Sequence, residues 1–475
     1  MKIKPLRILA VIFLLSFVFN LYLSFSSPYL NNDDSYFNLR VIENIRNTGL
    51  PIIYDELSHG GRFIVVQPLF HYLFALFSFI PFYFKIFPAI IISSLVLISY
   101  LIAKEITNDE TSSLFTALLS GFIPLYSRVL INQFTPYFVV LPLTSFLLFC
   151  FMKLENKKYL ICFIVGSSVL ALMHPYSFLL IFILLFYILL MNTEGIPIMK
   201  LKKEIMIFTF FLVLLINIII FRRVFLEYGI HAVYGNNPLS NTLNIFKSIY
   251  LIGIIPLCLG ILGVYQGFFK MKKESIILIS SLILGILFLL LLGITDIDIG
   301  LLFLSFGLVI ASSLSIKFLF IYLEKTKFNS FKNFVIICFV FLIFLLSLVP
   351  TYISYNKEFT NLNDFKWFKE NSESDEAIIA PLEYGHMISY FSRRKNIIDS
   401  NFLLAPDSKQ RNYDVNLMYT GWSYNKAIEI SKEYGAEYIY INDNIKKFYN
   451  IQDLKYVQDG KCITKVKENI YKVIC

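Results

Sequence analysis

Eleven long apolar runs constrain this chain more than any other feature. Each approaches the ~20 residues that an α-helix needs to cross a bilayer. Only 16% of the 475 residues are charged, whereas about a quarter are charged in soluble domains. The sequence therefore predicts a polytopic membrane protein whose membrane domain is all-α, with about 11–13 helices. The eleven predicted spans are 7–28, 86–104, 112–127, 136–153, 158–174, 176–191, 204–221, 248–268, 274–294, 300–322 and 332–353.

The distribution of basic residues predicts which side of the membrane each loop faces. The apolar run 66–82 is interrupted by Gln67, Pro68, His71 and Pro81. If this run does not cross, every basic cluster falls on one side, which the positive-inside rule assigns to the cytoplasm. We therefore interpret it as a helix that lies in the outer interface or re-enters partway. The net charge of +9 then requires no nucleic-acid partner.

The same topology places a long first loop, residues 30–85, and the tail after about residue 354 on the outer face of the cell membrane. The tail alternates predicted helices and strands, which is typical of an α/β domain. We predict a membrane domain over 1–354 and an extracytoplasmic α/β domain over 355–475. The predicted strands are 377–380, 396–399 and 437–441, and one predicted helix begins at Asn363 or Asp364 as its cap.

Two cysteines, Cys462 and Cys475, lie outside the apolar runs. A hairpin in which Val466 pairs with Tyr471 would place these cysteines opposite each other, within disulfide reach. An oxidising outer face favours that bridge, and two free thiols are the alternative. The remaining four behave as small hydrophobic side chains: Cys150, Cys162, Cys258 and Cys338.

The segment "NNDDSYFNLR" begins where the first span ends, and it carries the adjacent carboxylates Asp33 and Asp34, followed by Arg40. Carboxylate oxygens are the ligands that Mg²⁺ and Mn²⁺ prefer, and a carboxylate also serves as a general base. The alternative is a pair of solvated loop acids. We expect Asp34 to be the catalytic residue and a ligand of Mn²⁺ or Mg²⁺.

The stretch "DSYFNLR", the later "YDELSHGGR" and the apolar run opened by Pro68 resemble the first external loop of the oligosaccharyltransferase catalytic subunit, a GT-C glycosyltransferase. "YSRVLINQF" and the segment 377–401 resemble its second loop and its acceptor-binding region. The resemblance covers most of the chain and aligns on Asp34 rather than Asp33. It implies a membrane glycosyltransferase with a soluble outer domain, a metal ion and a polyprenyl-phosphate-linked sugar donor.

The chain departs from that family at the family's second metal-binding loop and at its acceptor motif. Phe134, Thr135 and Pro136 stand where the family has acidic ligands, and Pro381 and Leu382 replace paired tryptophans. These departures argue against transfer to asparagine. The resemblance still implies an acceptor, protein or glycan, at the residues that match the motif: Glu383, Tyr384, Gly385 and His386.

Several other polar residues fall on the predicted outer face. Asp296 and Asp298 form a short acidic turn that could supply the missing metal ligands, or could be a solvated turn. Arg40, His71, His174, Arg222 and Arg223 are candidates for binding the donor phosphate, because guanidinium and imidazole groups donate hydrogen bonds to it. Each has a structural alternative: an interface anchor for His71, a helix break at His174-Pro175, and interface snorkelling for the arginines that open the loop 222–247.

Two function classes follow. The first is a transferase that uses a lipid-linked sugar at the outer face, and the second is a non-catalytic relative that binds or carries lipid-linked glycan. A secondary transporter is disfavoured, since transporters place ionisable groups near the bilayer midplane and the centres of these spans carry almost none.

Overall fold

The structure is a computed structural model that describes residues 5–229, 245–326, 332–343, 345–346, 349–354, 362–401, 404–457 and 462–474. The chain divides into two compact units. The membrane unit comprises Met1–Pro28, Gln67–Phe70 and Phe79–Lys357. The α/β unit comprises Tyr29–Val66, His71–Ser78 and Glu358–Cys475.

The described helices, numbered along the chain, are α1 (Pro5–Phe25), α2 (Asp33–Thr48), α3 (Leu69–Phe77), α4 (Tyr83–Thr107), α5 (Glu110–Gly121), α6 (Pro124–Val129), α7 (Tyr137–Met152), α8 (Lys157–Met173), α9 (Ser177–Thr193), α10 (Lys200–Tyr228), α11 (Ile245–Ile252), α12 (Ile254–Gln266), α13 (Glu274–Leu291), α14 (Ile297–Lys325), α15 (Lys332–Ile343), α16 (Val349–Ser354), α17 (Leu362–Asn371), α18 (Gly385–Met387), α19 (Ser408–Thr420), α20 (Tyr424–Tyr434) and α21 (Asp443–Tyr449). The strands are β1 (Tyr54–Asp55), β2 (Arg62–Phe63), β3 (Ala377–Ile379), β4 (Lys395–Asn396), β5 (Ala436–Tyr440), β6 (Ile463–Lys467) and β7 (Ile470–Val473).

The membrane unit confirms the prediction of a multi-pass membrane protein. Among the described residues, six helices are long and apolar enough to cross a bilayer, and two more, α7 and α9, are apolar but shorter. Each of the eleven predicted runs contains at least one helix. The six long ones are α1, α4, α10, α12 with its π-helical extension to Met271, α13 and α14.

Proline and glycine divide two of the predicted runs. The run 112–127 becomes α5 and α6, because Pro124 starts a new helix after Phe122 leaves the helical conformation. The run 248–268 becomes α11 and α12, because Gly253 has a φ of 91° and Pro256 follows in the first turn of α12. A single helix does not form across either site.

The interrupted run 66–82 contains α3, a helix of nine residues. At 1.5 Å per residue such a helix is about 14 Å long, roughly half of the ~30 Å hydrocarbon core. This length supports the interpretation that the run does not cross the membrane.

Ion pairs bring three of the predicted cytoplasmic clusters to one end of the membrane unit. Lys153, after α7, pairs with Glu105 of α4 at 2.8 Å. Lys273, before α13, donates to the carbonyl of Glu105 at 2.7 Å. Glu274, the first residue of α13, pairs with Lys202 of α10 at 2.5 Å. We call this end the basic end.

Two glycines let α12 approach α14 closely. A Cβ atom added to Gly263 would lie 1.9 Å from the carbonyl oxygen of Ala311, and one added to Gly260 would lie 2.6 Å from that of Leu308. Neither distance is compatible with a side chain, so these positions fix the spacing of the two helices.

The α/β unit contains a five-stranded sheet in the order β4-β3-β5-β7-β6, which confirms the predicted class of the tail. Strands β4, β3 and β5 are parallel, while β7 and β6 form an antiparallel hairpin. Residues from the first loop join this sheet at its edge. The amide of His59 donates to Asn396 O of β4 at 2.8 Å, and the amide of Asn396 donates to Leu57 O at 2.8 Å. The unit is therefore assembled from two segments that are distant in sequence.

Most predicted elements of the tail are confirmed, but the predicted end of one strand and the predicted start of one helix are wrong. Strands β3 and β5 match the prediction, but β4 ends at Asn396, because the chain then leaves the sheet and places Asp399 against Arg62. The predicted cap residues lie inside α17: Leu362 is buried and begins the described helix, and the carboxylate of Asp364 pairs with Lys467 at 2.9 Å.

The predicted hairpin forms, with a different register. Ile463 pairs with Val473, and a bulge at Val466 shifts the pairing by one residue relative to the prediction. Cys462 is disulfide-bonded. Its predicted partner, Cys475, lies outside the described residues. The four cysteines of the apolar runs are free, as predicted.

Candidate functional site

Helix α2 begins at the acidic pair. Asn32 is its N-cap, and the side chain of Asn32 accepts a hydrogen bond from the amide of Asp34 at 2.9 Å. Asp33 and Asp34 therefore lie in the first turn, where the helix dipole favours negative charge. The helix ends at Gly49, whose φ of 79° suits glycine.

Asp33 is buried and connects two segments of the α/β unit through hydrogen bonds. Its carboxylate accepts hydrogen bonds from the amides of His386 at 3.0 Å and Met387 at 2.8 Å. Burial raises the pKa of Asp33, and the nearby Asp34 and Asp399 raise it further, while the two amides oppose the shift. Both carboxylate oxygens are occupied by the backbone, so Asp33 holds the start of α18 against α2.

Asp34 is in a different environment, although it is adjacent. It is partly exposed, whereas Asp33 is buried. The hydroxyl of Ser400 donates to its Oδ1. Among the described residues no arginine or lysine forms an ion pair with Asp34. Asp34 is therefore a carboxylate that remains accessible to a reacting group.

A network of buried ion pairs lies in the same unit as these two acids. Arg40 pairs with Asp55, and Arg62 lies 3.6 Å from Asp55 and 2.7 Å from Asp399. All four side chains are almost fully buried. Arg62 also donates to the carbonyl of Asn401. This network joins α2, the β1–β2 hairpin and the segment after β4, and it fixes where Ser400 presents its hydroxyl.

His386 lies at the end of this network. Its Nε2 is 3.6 Å from Asp399 Oδ1, and its ring packs on Phe37 at a centroid distance of 4.9 Å. Burial lowers the pKa of His386, while the nearby carboxylates of Asp399 and Asp34 oppose the shift. Burial would raise the pKa of Asp399, but His386, Arg62 and Arg40 hold the pKa of Asp399 below its usual value. Neither ring nitrogen of His386 has a hydrogen-bond partner in the described part of the chain.

The residues that match the acceptor motif lie together in the α/β unit and differ in accessibility. Glu383 is exposed. Tyr384 is buried, and its hydroxyl accepts a hydrogen bond from Nδ2 of Asn442 at 3.1 Å. A Cβ atom added to Gly385 would lie 2.3 Å from the carbonyl oxygen of Ile398, so only glycine fits there. Of the four, Glu383 is the side chain that can reach an acceptor without rearrangement.

The candidates for donor binding are divided among several environments. Arg40 is buried in its ion pair with Asp55. His71 is buried, and its Nε2 lies 2.9 Å from Asn38 Oδ1. The amide of Tyr176 donates to Nδ1 of His174 at 3.2 Å, which leaves the proton of a neutral His174 on Nε2. The prediction that Arg222 and Arg223 open a loop is wrong. Both lie inside α10, which continues to Tyr228. The predicted loop is outside the described residues from 230 to 244.

Asp298, in the acidic turn of the membrane unit, has a basic partner. It forms an ion pair with Arg128 of α6 at 3.3 Å. Asp296 is the N-cap residue of α14. Tyr176 before α9 bonds to Thr295, and the ring of Tyr137 packs on His174 at 4.8 Å. The ends of α6 and α8 and the starts of α7, α9 and α14 therefore meet at one end of the membrane unit, as the predicted topology requires.

Sequence reasoning did not assign roles to Asp55, Arg62, Asp399, Ser400 or Arg128. All five lie in stretches that carry the family resemblance, but a residue type alone does not reveal a buried partner that is more than 300 positions away. The sequence signal that could have pointed to these residues is that "YDELSHGGR" and "IIDSN" place charges next to apolar residues of short strands.

No family model and no curated protein matches this sequence at a significant level. Solved structures do match. The apo oligosaccharyltransferase of Archaeoglobus fulgidus is 15% identical over 97% of this chain and 73% of its own, with a TM-score of 0.68. ArnT from Cupriavidus metallidurans in the apo state is 10% identical over 97% of each chain, with a TM-score of 0.60. This chain has the GT-C glycosyltransferase fold.

The expectation of a GT-C-like architecture is thereby confirmed. Related structures show what these neighbours hold: the Archaeoglobus enzyme AglB in complex with an inhibitory peptide and a dolichol-phosphate, and ArnT bound to undecaprenyl phosphate. At identities of 9–15% the likeness establishes the GT-C fold, and the chemistry of this chain has to be argued from its own residues.

Proposed function

We propose that this protein is a membrane glycosyltransferase that transfers a sugar from a polyprenyl-phosphate-linked donor to a protein or glycan acceptor at the extracytoplasmic face. The observation that carries the proposal is the contrast between the two adjacent acids of α2. Asp33 is buried and bonded to the backbone, while Asp34 is partly exposed and bonded to a hydroxyl. The GT-C fold supports the choice of a lipid-linked donor.

In the proposed reaction Asp34 acts as the general base. It removes the proton of the acceptor hydroxyl while the acceptor oxygen forms a bond to the anomeric carbon of the sugar. The bond between that carbon and the phosphate oxygen breaks, and the lipid phosphate leaves with the electron pair. Ser400 orients the carboxylate of Asp34, and the Arg40–Asp55–Arg62–Asp399 network holds both in place.

The donor phosphate needs hydrogen-bond donors. We assign this role to His174, Arg222 and Arg223 in the membrane unit, because they carry N–H groups and the arginines are exposed. Arg40 and His71 contribute by positioning, since both are buried and already bonded. Glu383 is the residue of the acceptor motif that we expect to contact the acceptor, with Tyr384, Gly385 and His386 shaping its surroundings.

The sequence predicts that Asp34, Asp296 and Asp298 bind Mn²⁺ or Mg²⁺. Within the described residues no three histidine, cysteine, aspartate or glutamate side chains converge as metal ligands. Asp298 is already paired with Arg128. No step of the reaction above is assigned to a metal. A neighbouring oligosaccharyltransferase structure is a complex with Zn and sulfate, so turnover before and after EDTA, and after readdition of Mn²⁺, is the direct test of a metal requirement.

The non-catalytic alternative, a protein that binds or carries lipid-linked glycan, differs from the proposal in one measurable way. Purified protein in lipid nanodiscs is given dolichyl- and undecaprenyl-phospho-sugars, and release of the polyprenyl phosphate is followed along with binding. A transferase releases it in the presence of acceptor, whereas a carrier binds the donor without release.

The first prediction concerns the base. Asp34→Asn keeps the volume and removes the charge, so we expect turnover to fall about 10²–10⁴-fold, as for loss of a general base. Donor binding should persist. The control is Asp375→Asn, an exposed aspartate of the α/β unit that should retain wild-type turnover. Turnover of Asp34→Asn within about tenfold of wild type would exclude the assigned role.

A further inference from the structure

A polar cavity that Asp34 does not line lies in the α/β unit. Its volume is about 240 Å³, and it is lined by one face of α2, by the β1 segment and by Arg393. This is smaller than the roughly 300–1,000 Å³ of pockets for drug-sized ligands, so it suits a single small ring. The side chains of the lining that carry polar groups include Glu43, Asn44, Asn47, Tyr54, Glu56 and Arg393.

The cavity is separated from Asp34 by the geometry of the helix. Arg40, Glu43, Asn44 and Asn47 follow one another at the three- and four-residue spacing that defines one face of an α-helix. Asp34 lies six residues before Arg40, which at about 100° per residue places it about 120° around the axis. A molecule in this cavity therefore does not occupy the proposed catalytic position.

The charges of the lining favour a neutral ligand. Arg393 pairs with Glu43 at 2.7 Å, and Arg40 pairs with Asp55. Glu56 is exposed and adds a third carboxylate, so two guanidinium groups face three carboxylates. A phosphate or a uronate would meet a net negative lining, which disfavours it.

The hydrogen-bonding groups of the lining suit a polyhydroxylated ring. Carboxylates and the amides of Asn44 and Asn47 accept from hydroxyl groups, and guanidinium groups donate to them. Arg40 is 3% exposed, and its Nε and Nη1 have no hydrogen-bond partner in the described part of the chain. Tyr54 lines the cavity and is about half exposed, so aromatic surface is available to contact the C–H side of a sugar.

We propose that this cavity is a saccharide-binding site for one neutral or amino-sugar residue, separate from the site of transfer. The α/β unit would hold the glycan by hydrogen bonds between the hydroxyl groups of the sugar and the side chains of Glu56, Asn47 and Arg393. The proposal goes beyond the transferase function and does not depend on it, because a carrier of glycan would use the same cavity.

Saturation-transfer NMR of the full-length protein in nanodiscs tests the proposal with four probes: methyl glucoside, N-acetylglucosamine, glucosamine and glucuronate. We expect the first three to bind with dissociation constants of about 1–10 mM, as for a small rigid ligand with few contacts. Glucuronate should bind at least about fivefold more weakly, a difference that one unfavourable polar contact accounts for.

Variants locate the binding. Glu56→Gln and Asn47→Leu should each weaken sugar binding about fivefold or more, since each loses a hydrogen-bonding group. The matched control Glu370→Gln changes an exposed glutamate on α17, outside the cavity, and should leave binding unchanged. Asp34→Asn should also bind normally, which separates this site from the transfer reaction.

Three results would overturn the proposal: no saturation transfer with any neutral sugar, binding of glucuronate as tight as that of methyl glucoside, or binding that Glu56→Gln and Asn47→Leu leave unchanged. Loss of binding in Asp34→Asn alone would place the sugar at the transfer site instead. Circular dichroism and size-exclusion profiles of each variant confirm that it is folded, so a loss of signal reports on the cavity.

Discussion

At the scale of single residues, the structure separates chemically identical side chains by their partners. Asp33 and Asp34 are neighbours on α2, yet Asp33 caps the start of α18 while Asp34 bonds to Ser400. Two similar acids acquire different roles because a helix turns about 100° per residue, which points adjacent side chains in different directions. The buried member holds the unit together, and the accessible member is available for chemistry.

The second prediction concerns Arg62, which lies between Asp55 and Asp399. Replacing Arg62 with Met leaves the buried carboxylate of Asp399 without its arginine, while Asp55 keeps its pair with Arg40. Loss of one partner of a buried ion pair costs about 3–5 kcal/mol, so we expect a marked fall in the thermal stability of the α/β unit of the full-length protein. Differential scanning fluorimetry of the purified protein measures it.

The control for Arg62 is Lys426→Met, which breaks an exposed pair with Glu429 at 2.8 Å. Exposed ion pairs contribute little to stability, so this variant should melt within a few degrees of wild type. Equal melting temperatures for Arg62→Met and Lys426→Met would show that the buried network does not stabilise the unit.

At the scale of elements, glycine and proline decide where the apolar runs bend and how closely they pack. Pro124 and Gly253 each divide a continuous apolar run into two helices. Gly260 and Gly263 allow α12 to approach the backbone of α14. Hydrophobic periodicity does not report either effect, since both depend on backbone geometry rather than on polarity.

The third prediction follows from this packing. Gly263→Ala adds a methyl group that would lie 1.9 Å from the carbonyl oxygen of Ala311, so α12 and α14 must move apart. We expect destabilisation of about 1–3 kcal/mol, typical of overpacking, seen as faster unfolding in detergent. Gly285→Ala is the matched control, because its Cβ meets nothing closer than 3.6 Å, and it should be neutral.

The fourth prediction concerns the hairpin of β6 and β7. We expect Cys462 to be bridged to Cys475, and mass spectrometry of non-reduced peptides should recover the two as one cross-linked species. Closing a loop of about 14 residues stabilises by up to ~3 kcal/mol in the chain-entropy model, so Cys462→Ser should lower the melting temperature of the α/β unit. Alkylation of both thiols without prior reduction would contradict the bridge.

At the scale of the whole molecule, the charge distribution along the chain and the arrangement of helix ends agree. Lysines of three sequence clusters pair with glutamates at the basic end. Arg128, His174 and Thr295 each take part in contacts between helix ends on the outer side of the predicted topology. The positive-inside rule then assigns the basic end to the cytoplasm.

The fifth prediction is that orientation. In intact cells a membrane-impermeant thiol reagent should label Ser374→Cys, a variant of an exposed position in the α/β unit. The same reagent should not label Lys200→Cys at the basic end until the membrane is permeabilised. Labelling of the two positions in the reverse order would place the α/β unit in the cytoplasm and remove the basis for an outer transfer site.

The sequence by itself determined the properties that depend on local composition and spacing. Apolar runs of about 20 residues specify membrane helices wherever they occur, because unpaired backbone groups are too costly in a bilayer. The alternation of short strands and helices specified the class of the tail, and a local signal such as Gly435, whose φ of 58° suits glycine, ends α20.

Only the tertiary structure decided which polar side chains meet. The register of β6 and β7 depends on a bulge at Val466, and the attachment of residues 57–59 to β4 unites segments more than 330 positions apart. Asp34 and Ser400, or Arg62 and Asp399, are brought together by chain folding alone. Such pairs are fixed by the burial of the surrounding apolar residues and by the cost of leaving a buried charge unpaired, and neither quantity is written in the local sequence.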